Sequence, residues 1–178
     1  LYELRDSDPN RGAAKNGIDK FGSQITQTMY LDQGWSAADS LWFYNTTQGS
    51  NLLPYSFFLV LEQPSSSALF RSDENIDRYG YLPQRPTIGN PDGLPVGMVR
   101  DEYQGKAFMG FTCAACHTTQ INYAGIGIRI DGGPANSDME TFMIDLAEAL
   151  HATLVTPEKL DRFVKNVLKR GHYENASD

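Results

Sequence analysis

Two cysteines and one histidine form the part of the sequence with the most distinctive chemistry. The chain has two cysteines in all, and both lie in the run Cys113-Ala114-Ala115-Cys116-His117. With this spacing, two thiols can add to the two vinyl groups of one porphyrin while the following imidazole reaches the iron. The run therefore predicts one covalently attached haem c, bound through Cys113 and Cys116, with His117 as an axial ligand of the iron.

Three other interpretations of the two cysteines each lack a required feature. A thioredoxin-like redox pair is expected within a parallel α/β pattern, and neither flank shows the runs of β-branched residues that such a pattern implies. A structural zinc site needs four ligands, and the remaining histidines, His151 and His172, do not have the usual short His spacing. A disulfide or two idle buried thiols would leave His117 without a role. Haem attachment is therefore the favoured interpretation.

Haem c chemistry and composition together restrict the location and partners of the chain. Covalent attachment takes place in an oxidising compartment, so we expect a periplasmic or secreted protein. The longest apolar stretch, residues 52–61, is interrupted by Pro54, Tyr55 and Ser56 and falls short of the roughly 20 residues that span a membrane. We therefore expect no transmembrane segment. The net charge of -7 and the lack of a basic run argue against a nucleic acid partner.

The second face of the iron decides between two kinds of haem protein. A strong sixth ligand makes an electron carrier, whereas an open position admits oxygen or peroxide. Small electron-transfer cytochromes usually supply a methionine after the haem motif, yet residues 118–137 contain neither Met nor His. We interpret the nearest methionines as core or loop residues: Met98, Met109, Met139 and Met143. A simple electron carrier with His and Met ligands is therefore disfavoured.

Other residues with suitable chemistry have weaker signals. We expect His151 to be hydrogen-bonded within the protein or to face solvent, and His172 to lie at the surface. Arg129 either pairs with a haem propionate or forms a surface salt bridge. Trp35 and Trp42 either relay electrons or fill the core, and core filling is the preferred interpretation.

The elements that position the motif are predicted to be mainly helical. Residues 1–35 are polar and are expected to form loops, and Ser36 and Asp39 predict a helix over about Ala37–Asn45. Pro54 predicts the start of a buried helix that continues through residue 62. The proline-rich stretch 64–97 predicts an ordered loop that wraps a core. We expect a helix over residues 101–116 and a glycine-rich loop over residues 117–137.

Two closing helices complete the predicted fold. Ser137 and Glu140 form an expected capping box for a helix ending near Leu154, and Pro157 starts a second helix that ends at Gly171. The pair should bury Phe142, Leu146, Leu150, Phe163, Val164 and Val167. The predicted fold is mainly α: an N-terminal lobe of loops and two short helices over residues 1–99, and a cytochrome c-like helical haem domain with long ordered loops over residues 100–178.

Several segments, taken in their order along the chain, resemble a known family. They are Asp39-Ser40-Leu41-Trp42-Phe43-Tyr44, Gln48-Gly49-Ser50, Leu53-Pro54-Tyr55, Phe57-Phe58-Leu59, Leu61-Glu62, Leu94-Pro95-Val96-Gly97, Gly110-Phe111-Thr112 with the haem motif and Thr118, and Ile130-Asp131-Gly132-Gly133-Pro134. This order is similar to the N-terminal haem half of the bacterial di-haem cytochrome c peroxidase-like proteins, particularly the rubber oxygenase branch. The resemblance covers roughly residues 35–170.

The resemblance implies a periplasmic or secreted, mainly helical oxidoreductase. It implies an oxygen-binding haem held by Cys113, Cys116 and His117, with no strong protein ligand opposite, and a second haem domain or redox partner protein. The leading expectation is a peroxidase or oxygenase type of haem oxidoreductase that takes oxygen or peroxide and an apolar organic substrate. The alternatives are an electron-transfer c-type cytochrome with a six-coordinate haem, and a haem-bearing module that docks to a larger complex.

Overall fold

Helices and strands both contribute substantially to the fold. The computed structural model of the chain describes residues 4–6, 17–18, 22 and 24–170. Helices make up 36% and strands 25% of the described residues, which is a mixed α/β composition. The prediction of a mainly α, cytochrome c-like fold is therefore wrong.

The strands within the described residues form three sheets. The four-stranded sheet has the order β1-β4-β9-β8, with bounds Leu4–Asp6, Gln27–Leu31, Ile126–Asp131 and Thr118–Tyr123. The three-stranded sheet has the order β5-β7-β6, with bounds Leu53–Pro54, Lys106–Phe111 and Met98–Tyr103. The two-stranded sheet pairs β2 with β3, Gly17–Ile18 and Gln24–Ile25. The β4-β9 pair is parallel and the other pairs are antiparallel.

The described residues contain six helices, of which the first matches its prediction. Their bounds are α1 Ala37–Asn45, α2 Tyr55–Val60, α3 Asp73–Arg78, α4 Ala114–His117, α5 Met139–Val155 and α6 Pro157–Leu168. Helix α1 begins with a capping box, in which Ser36 Oγ accepts the Asp39 N–H at 3.2 Å and Asp39 Oδ2 accepts the Ser36 N–H at 3.0 Å. Helix α2 follows Pro54 and is almost entirely buried, as predicted, although it ends two residues early at Val60.

The segment on each side of the motif is a β-hairpin. Strands β6 and β7 replace the predicted helix over residues 101–116, and β8 and β9 replace the predicted loop over residues 117–137. Gln104 and Gly105 connect the first pair with φ of 51° and 75°, and Ala124 and Gly125 connect the second with φ of 47° and 80°. Two successive residues of positive φ fit the two-residue turn whose twist matches that of the strands. The helix prediction is therefore wrong over residues 101–111 and holds only over residues 114–116, and the loop prediction is wrong over the two strands.

The N-terminal region also contributes a strand where loops were predicted. In β4, Thr28 lies beside Gly127 and Tyr30 beside Arg129 of the parallel strand β9. The prediction of loops for residues 1–35 is therefore wrong over residues 27–31, and also over the shorter strands β1, β2 and β3. The sheet joins strands from both sides of the predicted boundary at residues 99 and 100, and the division into two domains stays a prediction.

The main core lies between the three-stranded sheet and helices α2, α5 and α6. The predicted ordered loop over residues 64–97 wraps this core with Phe70, Tyr79 and Tyr81, all buried, and it also contains α3. On the closing helices, three residues of the predicted core set are buried: Phe142, Leu146 and Val167. The other three are partly buried: Leu150, Phe163 and Val164.

The ends of the closing helices differ from prediction at one position. Asp138, not Ser137, caps α5, because Asp138 Oδ1 accepts the Thr141 N–H at 3.0 Å. Pro157 begins α6 as predicted, and the predicted helix end at Gly171 lies outside the described residues. No helix in the described part of the chain combines the length and the apolar character needed to cross a membrane.

Candidate haem attachment site

The motif lies on a single helical turn between the two hairpins. Cys113 has helical backbone angles, φ -55° and ψ -32°, and α4 continues from Ala114 to His117. Side chains three and four positions apart share one face of a helix. Cys113, Cys116 and His117 therefore share the outer face, where Cys113 is half-buried and the other two are exposed. Ala114 and Ala115, 1% and 2% exposed, pack inward on the opposite face.

Backbone contacts fix this turn on both sides. The Ala114 N–H donates to Thr112 Oγ1 at 3.2 Å, the Ala135 N–H donates to the Cys116 carbonyl at 2.9 Å, and the Gly132 N–H donates to the His117 carbonyl at 2.7 Å. The turn is therefore held to the end of β7 and to the segment that follows β9.

Gly97 allows the chain to approach the inner face of the turn. Its φ is +84°, and a Cβ atom at this position would overlap the Ala115 backbone. A side chain is therefore excluded both by space and by the left-handed conformation. Gly97 ends the proline-rich stretch 64–97, and nothing in the local sequence indicates this contact.

The His117 imidazole lies free on the outer face. The segment that follows β9 contacts His117 through its backbone, because the Gly132 N–H donates to the His117 carbonyl. Within the described residues no hydrogen bond joins the imidazole ring to the protein. Both ring nitrogens are thus available, and one suffices for an axial iron ligand.

Two aromatic clusters flank the turn. Ala115 belongs to the main core together with Tyr81 and Phe111, whereas Cys113 and Ala114 pack with a second cluster that contains Tyr30, Phe43, Tyr44 and Val96. Trp35 packs edge-on against Phe43 at 4.9 Å between ring centroids, in agreement with the preferred interpretation of this residue as core. Trp42 is 62% exposed, so its prediction as a core residue is wrong.

Tyr81 adds a polar group beside Cys116 that the sequence analysis did not single out as functional. Burial, reinforced by the neighbouring Cys116 sulfur, raises the pKa of Tyr81 to about 12. The phenol is therefore protonated at neutral pH and can donate a hydrogen bond next to the attachment point.

Arg129 is buried on the inner face of the four-stranded sheet, so its prediction as a surface salt bridge is wrong. The side chain is 1% exposed. Its Nε donates to Gln120 Oε1 at 3.0 Å and its Nη2 donates to the Pro83 carbonyl at 2.8 Å. Nη1 has no hydrogen-bond partner, and no carboxylate of a described residue lies within ion-pair distance. The other predicted role of Arg129, pairing with a haem propionate, stays a prediction.

The remaining candidate iron ligands are dispersed. Met98 and Met109 are buried in the main core and Met139 packs against it, as predicted, whereas Met143 is exposed and its prediction as a core residue is wrong. His151 is exposed on α5, as predicted, and His172 lies outside the described residues. No group of three or more His, Cys, Asp or Glu side chains in the described part of the chain could hold a bare metal ion. A haem iron needs only one such ligand, because the porphyrin supplies four.

Comparisons with known proteins find sequence similarity to a longer protein. No family model matches the chain, and no solved structure matches it. An uncharacterized protein of Sinorhizobium fredii is 30% identical over 167 residues, which cover 82% of this chain and 27% of that protein. The chain therefore spans about a quarter of the length of this relative.

Proposed function

We propose that this chain binds one haem c through Cys113 and Cys116, with His117 as axial ligand, and that it reacts with oxygen or peroxide as a peroxidase or oxygenase type of oxidoreductase. The observation that carries the proposal is the shared outer face of α4, on which both thiols and the imidazole lie together. The proposal rests on this turn and does not require a cytochrome c fold.

Attachment uses groups that the turn already presents. Each Sγ–H adds across one vinyl C=C bond, so that sulfur bonds to one carbon and hydrogen to the other, with no net oxidation. Both cysteines are free thiols, and Cys116 and His117 are exposed, so a planar group can approach from solvent. The buried Ala114 and Ala115 hold the turn in place from below.

The neighbouring residues have distinct roles in this proposal. His117 binds the iron through one ring nitrogen, the Tyr81 hydroxyl provides a donor beside Cys116, and Arg129 offers Nη1 to a propionate. The bound haem supplies the redox chemistry of the iron. Met98 and Met109, which lie on the strands next to the turn, are engaged in core packing, and this supports an iron without a methionine ligand.

The cellular setting follows from the same chemistry. We propose that the chain works in the periplasm or as a secreted protein, because haem c is attached in such compartments, and that a second haem domain or a redox partner protein exchanges electrons with it. An apolar organic molecule is the proposed second substrate of the oxygenase type.

The test is to produce the chain by export in a host that matures c-type haem, and to record its intact mass and visible spectra. We expect the mass of one haem, a high-spin ferric spectrum and binding of carbon monoxide after reduction. Cys113→Ala and Cys116→Ala should each leave haem singly attached or lost, and His117→Ala should remove the proximal bond. His151→Ala, an exposed histidine on α5, is the matched control and should leave the spectrum unchanged.

Two outcomes would change the proposal in different ways. A double cysteine variant that retains haem through acid-acetone extraction would refute covalent attachment. A low-spin, six-coordinate spectrum in both oxidation states, with haem still attached, would instead support the electron-transfer cytochrome.

A further inference from the structure

A cleft of about 810 Å³ opens between α2, α6, the start of β6 and the segment around Asp92. None of its lining residues belongs to the haem motif. Four cationic side chains line it: Arg71, Arg100, Lys169 and Arg170. Asp92 is the single carboxylate among the lining residues. The chain as a whole carries a net charge of -7, so the cleft is a positively charged region on a protein that is negatively charged overall.

Asp92 organises the cleft and leaves most of its positive charge in place. Its Oδ1 lies 3.2 Å from Arg170 Nη1, its Oδ2 accepts the Tyr55 hydroxyl at 2.8 Å, and its carbonyl accepts Arg71 Nη1 at 3.0 Å. The Asp92 carboxylate thus contacts two groups and forms an ion pair with one of them, Arg170, whereas Arg71 contacts the backbone carbonyl of Asp92. Arg100 has a second carboxylate nearby, Glu102, at 2.6 Å.

Arg71 and Lys169 have no carboxylate partner among the described residues. Arg71 is half-buried and donates only to carbonyl groups, those of Asp92 and of Leu59 at 3.1 Å. Burial lowers the pKa of Arg71, the nearby charge of Asp92 opposes this shift, and the like charge of Arg170 adds to it. Two neighbouring cations repel each other, so an anion that binds beside them lowers their electrostatic free energy.

The cleft also has an apolar part. Leu59 and Val60 of α2 and the exposed Leu69 line it beside the cations. Its volume lies within the range of about 300–1,000 Å³ typical of small-molecule sites. We propose that this cleft binds an amphipathic organic carboxylate, with the carboxylate between Arg71 and Lys169 and the hydrocarbon part against Leu59, Val60 and Leu69.

The probe for this site is laurate, used below its micelle concentration and titrated into the purified chain by calorimetry. Dodecyltrimethylammonium has the same hydrocarbon chain with the opposite charge, and acetate has the charge without the chain. We expect saturable binding of laurate, with an affinity at least about tenfold above that of either comparison compound.

Variants separate charge at the cleft from charge elsewhere. Lys169→Gln, at an exposed position, should weaken laurate binding about tenfold without unfolding the protein, and Arg71→Gln should weaken it further. Arg85→Gln removes an exposed arginine outside the cleft and should leave the affinity unchanged. The proposal is overturned if laurate fails to bind, if dodecyltrimethylammonium or acetate binds equally well, or if Lys169→Gln and Arg85→Gln have the same effect. These measurements do not use the haem, so their outcome is independent of the proposed function.

Discussion

The Tyr44 hydroxyl donates a hydrogen bond of 2.6 Å to Oδ1 of Asp131, and both side chains are buried. The bond connects α1 to the end of β9. Strand β9 pairs with β8, the strand that directly follows α4 and the haem motif. Burial, followed by the nearby Tyr30 and Asp131, raises the pKa of Tyr44 well above its ordinary value, despite the opposing effect of Arg129. The phenol therefore remains a hydrogen-bond donor across the physiological pH range.

Removal of that hydroxyl should destabilise the protein. Tyr44→Phe takes one donor from the buried Asp131 carboxylate, and we expect a loss of about 1–3 kcal/mol in the free energy of unfolding, measured by urea titration. Tyr123→Phe, at a strongly exposed tyrosine of β8, is the control and should change the free energy by less than about 0.5 kcal/mol. Equal effects of the two substitutions would show that the buried bond has no special contribution.

The contact between Gly97 and the haem turn can be tested against a glycine with the same backbone but open surroundings. Gly97 has φ +84° and faces the Ala115 backbone, whereas Gly105 has φ +75° and no neighbour within 4 Å of an added Cβ. Gly105→Ala should cost about 1 kcal/mol from the positive φ alone. Gly97→Ala should cost several times more and should reduce the yield of attached haem. Similar losses in both variants would exclude a role for the close approach.

Arg129 should influence the electrostatics of the bound haem. Under the proposed function, Arg129→Gln removes a buried positive charge near a propionate, so the oxidised iron is relatively stabilised. We expect the reduction potential to fall by tens of millivolts, since about 59 mV corresponds to 1.4 kcal/mol for one electron. Arg85→Gln, at an exposed arginine, should leave the potential unchanged within a few millivolts. An unchanged potential in Arg129→Gln would place the guanidinium away from the haem.

The interface of the closing helices should be sensitive to charge at its buried positions. Leu146 is buried on α5 and Ile144, on the same helix, is exposed. Leu146→Asp should lower the free energy of unfolding by about 3–5 kcal/mol, because it places an unpaired carboxylate in the core. Ile144→Asp should have little effect, and thermal unfolding of the two variants measures the difference. Comparable losses would contradict the described orientation of α5.

Ionisation of Glu62 should make the free energy of unfolding depend on pH. Its carboxylate accepts two bonds of 2.7 Å from Arg162 and one of 3.3 Å from Lys159. The Arg162 bonds, followed by those of Lys159, lower the pKa of Glu62 despite the opposing effect of burial. A lowered folded-state pKa gives stability that is present above the unfolded-state pKa and is lost as the pH falls through the folded-state value.

The urea midpoint, followed from pH 7 to pH 3, measures this contribution. Glu62→Gln should reduce the midpoint at pH 7 and flatten its decline towards pH 3. Glu148→Gln, an exposed position on α5, should leave the shape of the profile unchanged. A Glu62→Gln profile parallel to that of the unmodified chain would contradict the assigned coupling.

Local signals in the sequence were sufficient for several helices. Ser36 and Asp39 contact each other within one helical turn, and Pro157 acts on its own backbone, so the starts of α1 and α6 can be predicted without knowledge of the fold. The two hairpins were missed because Gln104-Gly105 and Ala124-Gly125 lack the Asn or Asp that usually precedes glycine in such turns.

Within the candidate site, too, some features can be predicted from local sequence and others cannot. The spacing of Cys113, Cys116 and His117 is a local property and predicts their shared face. The burial of Arg129 depends on Pro83 and Gln120, which come from a distant loop and a neighbouring strand. A charged residue in isolation is expected at the surface, so only the assembled sheet reveals its position.

The parallel pairing of β4 with β9 also has a consequence for the order of folding. The hairpin of β8 and β9 closes through a two-residue turn, whereas Gln33, just beyond β4, reaches Asp131 across 98 positions of the chain. Contacts between such distant residues form slowly, so we expect the hairpin to precede the docking of β4. Until β4 arrives, one edge of β9 has unpaired backbone groups beside Ile126 and Ile128, and this interval is the stage at which the nascent chain is most prone to aggregate.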